Sequence, residues 1–138
     1  MESVELIAVG PRSSTVPVSF EITDGEEAGL RMKFSGRDWQ SFTASNLFKC
    51  LLSARAELEA EQLLLCCQGA RPDVFPSGMQ QQMENGRYAA VLSGSVGEEE
   101  VVDIFASAEP SQVTSVEAQR VAVYHFFNLP LSDTGGDA

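Results

Sequence analysis

The chain has one histidine, three cysteines, one tryptophan and only nine lysines and arginines among its 138 residues. Each shortage excludes something. With His125 alone, any nucleophile that needs an imidazole base must use that one side chain. The cysteines, Cys50, Cys66 and Cys67, are odd in number, and an adjacent pair cannot bridge without strain. No C-x-x-C spacing occurs, so no usual zinc ligand set is offered. Reduced, buried thiols in a cytoplasmic protein are the expectation. There is no phosphate-binding loop, no dinucleotide fingerprint and no G-x-S-x-G. No apolar run reaches the roughly 18 residues of a membrane span. The first ten residues, MESVELIAVG, show no basic region leading into an apolar one, so no signal peptide is read. These absences predict no catalytic residues, no cofactor and no metal.

Bases are outnumbered by 20 acids, for a net charge of −11. Nucleic acid and anionic membrane are therefore excluded as expected partners, since both repel such a chain. A basic protein partner is permitted, although solubility alone also accounts for the charge. The apolar share of 43% is ordinary for a globular domain. A single domain is expected over residues 1–131, able to bury about two thirds of its unfolded surface. The short polar tail 132–138 is expected to fray.

In chain order, Val4 to Val9 reads as a short strand. Val16, Val18, Phe20 and Ile22 alternate with polar residues, as do Leu30, Met32 and Phe34 after the Asp24-Gly25 turn. Period two of this kind predicts an antiparallel hairpin with one wet face. Pro17 cannot donate to a ladder, so its strand starts late or lies at an edge. Asp38 or Thr43 caps a helix in which Leu47, Phe48, Leu51, Leu52 and Leu58 make one apolar face, with Arg55 interrupting it or lying along its border. The helix ends near Glu61. Leu63 to Cys67 form a continuous apolar run that reads as a central strand. After a turn with an acidic run at 93–100, Val101, Val102, Ile104 and Phe105 read as the last strand. Thr114 and Glu117 have capping-box spacing and start a second helix, which Pro130 stops near Asn128. The predicted class is α+β: one sheet of about six antiparallel or mixed strands with two helices on one face.

Between the last strands lies the one long stretch without a period, Gly69 to Leu92: GARPDVFPSGMQQQMENGRYAAVL. Pro72 and Pro76 push their predecessors out of the helical region, and Ser77-Gly78 and Asn85-Gly86 are turn dipeptides. Apolar anchors at Val74, Phe75, Met79 and Met83 argue against disorder. An Ω-loop closing one end of the core and a contact surface are both open readings. The pattern Gly-Ala-Arg-x-Asp-Val-x-Pro-Ser-Gly-Met-x-x-x-Met, carried here by Gly69, Ala70, Arg71, Asp73, Val74, Pro76, Ser77, Gly78, Met79 and Met83, resembles immunity proteins of bacterial polymorphic or contact-dependent toxin systems. The glycine run that follows it in that family stands here as Glu84-Asn85-Gly86. The resemblance is confined to this stretch and its flanking strands. It implies a non-catalytic domain that neutralises a cognate protein toxin by occluding its active site.

The candidate partner-binding residues are therefore Arg71, Asp73, Phe75, Met79, Gln81 and Met83 in the aperiodic stretch, with Glu57, Glu59 and Glu61 on the helix. Methionine and aromatic side chains suit contact surfaces. The three glutamates face the negative end of the helix dipole, where stability gives no reason for acids. Arg71 and Asp73 also have a duller reading, in which they hold the loop's own shape. The alternatives are an adaptor module unrelated to toxins, or a small-molecule site or enzyme with a pocket beneath 71–86 lined by Arg71, Asp73 and His125.

Overall fold

A computed structural model of the chain describes residues 1–92 and 100–128. Among these residues β1 (Glu2–Val9), β2 (Thr15–Asp24), β3 (Ala28–Phe34) and β4 (Gln40–Ala44) form an antiparallel meander. A two-residue strand, β5 (Leu64–Leu65), adds to the other side of β1, giving the order β4-β3-β2-β1-β5. A second antiparallel sheet runs β6 (Val74–Phe75), β7 (Tyr88–Val91), β8 (Val101–Asp103). The helices are α1 (Leu47–Ala60), α2 (Gly78–Met83) and α3 (Val116–Phe126). The class is α+β, as the sequence predicts. Its described residues hold eight strands in two sheets and three α-helices, against the six and two expected.

Period two builds the meander. Phe20 stands opposite Met32 and Ile22 opposite Leu30, while Leu6 faces Val18 across β1 and β2, and all six are buried. The other face carries the Glu21–Arg31 ion pair at 2.8 Å and the Ser19 to Glu5 hydrogen bond. A slip of one residue would turn the whole apolar row to water. Pro17 sits inside a strand paired on both sides, not at an edge. The ladder with β3 begins only at Val18, so on that side the missing N–H leaves no bond unmade.

Helix α1 covers the apolar face of the meander. Leu47, Leu51, Ala54 and Leu58 are fully buried at helical spacing. Its cap is Asn46, not Asp38 or Thr43: the Asn46 Oδ1 accepts from the Lys49 amide at 2.9 Å. Thr43 belongs instead to β4. Phe42 is the one large apolar residue marking that strand, and the free edge of β3 supplies the rest of its stability.

The apolar run 63–67 is not a central strand. Only Leu64–Leu65 pairs with β1, at the end of the sheet. Its burial comes from the segment 104–108 lying alongside: the Gln68 amide donates to the Ala106 carbonyl at 2.8 Å and Gly69 to Ile104 at 3.0 Å. Strand β8 accordingly stops at Asp103, and Ile104 and Phe105 turn into the core, where Phe105 meets the Phe20 ring at 6.1 Å. All three cysteines are free and buried, and burial pushes their thiols up, Cys67 to about 12. Among the described residues no helix is long and apolar enough to cross a membrane. The acidic residues at 93–99, Pro130 and the tail 132–138 lie outside the described residues.

Candidate partner-binding surface

The stretch from Gly69 to Leu92 is a built element. Ser77, read as a turn residue, caps α2: its Oγ accepts from the Gln80 amide at 3.1 Å, and the Gln80 Oε1 accepts from the Ser77 amide at 2.8 Å. This Ser-x-x-Gln capping box was present in the sequence, masked by Pro76 and Gly78 on either side. Gly69 is fixed by packing, since a Cβ there would lie 2.8 Å from Leu51 Cδ2 and 2.9 Å from Ile104 Cβ. Asn85 and Gly86, both at positive φ, turn the chain after α2. The Asn85 carbonyl accepts from the Leu47 amide at 2.7 Å, which seats α2 beside the start of α1.

A buried polar hub holds the stretch from behind. Arg55 is fully buried within the α1 apolar row, rather than along its border. Its Nη1 donates to the Gly69 carbonyl at 3.3 Å and to Gln119 Oε1 at 2.5 Å, and its Nη2 to the Thr114 carbonyl at 2.9 Å. Gln119 Nε2 in turn reaches the carbonyls of Gly69, Arg71 and Val74 at 2.9, 2.8 and 3.1 Å. Two side chains thus tie α1, α3 and the 69–74 backbone together. Desolvation lowers the Arg55 pKa, the expected penalty for a buried cation. Sequence reasoning missed the hub. Its one signal was Arg55 four residues after Leu51 on an otherwise apolar row, where a polar residue must find partners. Because Thr114 serves the hub with its carbonyl, the cap of α3 falls one residue later: Ser115 Oγ accepts from the Ala118 amide.

The hub also changes the reading of the α1 acids. Both oxygens of Glu59 lie 3.1 Å from the Val116 amide at the start of α3, and one lies 3.9 Å from Arg55 Nε. Glu61 pairs with Arg37 at 2.9 Å, and Glu57 accepts from Gln40 Nε2 at 3.1 Å. The premise that stability gives no reason for acids here is overturned most clearly at Glu59. These three sit at the C-terminal end of α1, whereas α2 sits at its N-terminal end. A 14-residue helix is about 20 Å long. The two groups of candidate residues do not form one patch.

The aperiodic stretch itself divides sharply. Arg71 grips Asp73 through two bonds of 3.0 and 2.8 Å and reaches Gln68 Oε1 at 2.8 Å, which is shape-holding through side chains. Phe75 packs edge-on against Phe48, ring centroids 5.4 Å apart. Gln81 donates to the Pro76 carbonyl at 3.1 Å and accepts from Asn46 Nδ2 at 3.2 Å. Met79 and Met83 are different: one turn apart on α2, they are 69% and 76% exposed. Beside Met83 opens a polar groove of about 580 Å³, walled by the β2–β3 turn (Asp24, Glu26), by Lys49 of α1, and by Gln82 and Asn85. An Asn85 Nδ2 to Asp24 Oδ1 bond of 2.8 Å braces it.

The depression beside Asp73 is small, about 190 Å³, and is lined by Pro72, Leu92, Ala122 and Phe126 without Arg71 or His125. His125 is exposed in the last turn of α3. No group of three or more potential metal ligands forms among the described residues. Neither a protein-family model nor a curated protein matches the chain.

Proposed function

We propose that this chain is a non-catalytic protein-binding domain, an immunity protein that neutralises a cognate bacterial toxin in the cytoplasm by covering its active site. The observation that carries the reading is the exposure of Met79 and Met83. Around them Gly69, Arg71, Asp73, Val74, Ser77, Gln80 and Gln81 are all committed to packing, capping or hydrogen bonding within the fold. The two methionines are mostly exposed, and leaving two large apolar side chains in water on a firmly held helix suits a contact surface. Burying both would contribute about 3–6 kcal/mol before the cost of association. The capping box and the Asn46–Gln81 bond preorganise that face, so little ordering is needed on binding. The net charge of −11 favours a basic toxin and speeds its approach more than it deepens affinity. Nucleic acid and membrane are not partners in this reading.

Co-expression with a toxin domain recovered by pull-down with this chain from its native host tests it. The wild-type chain rescues growth and co-purifies with the toxin. The Met79→Glu/Met83→Glu double variant, with an unchanged denaturant midpoint, loses both. Full rescue by that variant would remove α2 from the interface and this reading with it.

A further inference from the structure

The groove beside α2 brings two carboxylates, Asp24 and Glu26, together with a single cation, Lys49. Six of the arginines make all seven salt bridges among the described residues. The fold thus neutralises most of its cations internally, yet leaves Asp24 and Glu26 at the groove without an ion-pair partner. Asp24 is held in place, because it accepts from Asn85 Nδ2 while the Asn85 carbonyl accepts from the Leu47 amide. The opposite wall is α2, with Gln82 offering a side-chain oxygen and Met83 a polarizable thioether.

We infer that this groove seats one arginine side chain projected by a basic partner segment, while apolar residues flanking that arginine pack on Met79 and Met83. The inference rests on the protein-binding reading and names the chemistry of the partner. Arginine fits better than lysine. Its planar, weakly hydrated guanidinium presents several donors at once to the oxygens of Asp24, Glu26 and Gln82, and its flat face lies against a thioether. Lys49, on the same groove, limits the seat to a single positive charge and disfavours a polybasic run.

The test is an amide NMR titration of the full chain with N-acetyl-Leu-Arg-Leu-amide and with its citrulline counterpart, which keeps the shape and removes the charge. The arginine peptide should shift the amides of residues 24–26, 49 and 82–85. The citrulline peptide should bind about threefold to tenfold more weakly, and the Asp24→Asn/Glu26→Gln variant should weaken arginine-peptide binding by a similar factor. Asparagine at 24 keeps an acceptor for Asn85, so the groove survives that change. Both differences should shrink at about 0.5 M salt. Equal binding of the two peptides, shifts centred elsewhere, or no binding of either at millimolar concentration would overturn the arginine seat. If the methionine variant still lost toxin capture in that case, the binding-domain reading would stand without it. If capture survived as well, both would fall.

Discussion

Reversing Glu59 to lysine separates two accounts of the acids on α1. If they were only a solvated, partner-facing surface, Glu59→Lys would be silent or slightly stabilising, because lysine suits a helix C-terminus. The structure assigns Glu59 two tasks. Its carboxylate caps the first amide of α3 with both oxygens at 3.1 Å, and it is the acid paired with the fully buried Arg55, at 3.9 Å. Loss of a cap costs about 0.5–2 kcal/mol. Breaking a buried ion pair costs about 3–5 kcal/mol, discounted here because the Glu59 side chain is 21% exposed and the remaining Arg55 contacts are carbonyls and an amide. Glu59→Gln, which keeps an acceptor, should cost about 1–2 kcal/mol. Glu59→Lys adds a like charge beside the guanidinium and at the positive end of α3, and should cost about 3–5 kcal/mol. A urea melt reads the difference: with a slope of about 2 kcal/mol per molar, the lysine variant should melt about 1.5–2.5 M earlier. Glu57→Lys, on a solvent-facing turn, should stay within about 0.5 kcal/mol of wild type. A Glu59→Lys midpoint as close as that would refute the hub.

Other outcomes follow from the same packing. Leu51→Ala, at a fully buried position, should lose about 2–5 kcal/mol in a denaturant melt; a loss near zero would put the wrong face of α1 in the core. Gly69→Ala should cost about 1–3 kcal/mol, because its methyl meets Leu51 and the Ile104 Cβ and carbonyl; a neutral melt would show that these neighbours move apart freely. Burial raises the Cys67 thiol from 9.0 to about 12, so the folded state holds its proton more tightly than the unfolded chain. That contribution is complete below about pH 9 and is lost as pH rises from there toward 12, at about 1.4 kcal/mol per pH unit. Stability curves of wild type and Cys67→Ala between pH 8 and 10.5 should therefore converge as pH rises; parallel curves would mean the thiol is not buried.

The meander and α1 were legible because their apolar residues repeat at two and at 3.6, and the register then follows from burying Phe20, Ile22, Leu30 and Met32 together. Most of what stayed hidden is set by partners distant in sequence. Strand β4 carries a single large apolar residue and exists because β3 has a free edge. Cys66 and Cys67 are buried by residues 104–108, not by strands on either side within one sheet. Arg55 depends on Gln119, 64 residues away, and Glu59 on Val116, 57 away. The capping box at Ser77 was local and readable, but two turn signals beside it drew the reading toward a loop. Of the candidate site residues, Met79 and Met83 kept the exposure a contact surface needs. Arg71, Gln81 and Glu59 proved to be occupied within the fold.

The central claim is that the α2 face, not the acids of α1, holds the partner. Association and dissociation rates with the toxin domain, measured at low and at physiological salt for wild type, Met79→Ala/Met83→Ala and Glu57→Lys, test it most directly. The methionine variant should dissociate at least about tenfold faster at both salt concentrations, because short-range packing governs the off-rate. Glu57→Lys should only slow association, and only at low salt. An unchanged off-rate for the methionine variant would contradict the account.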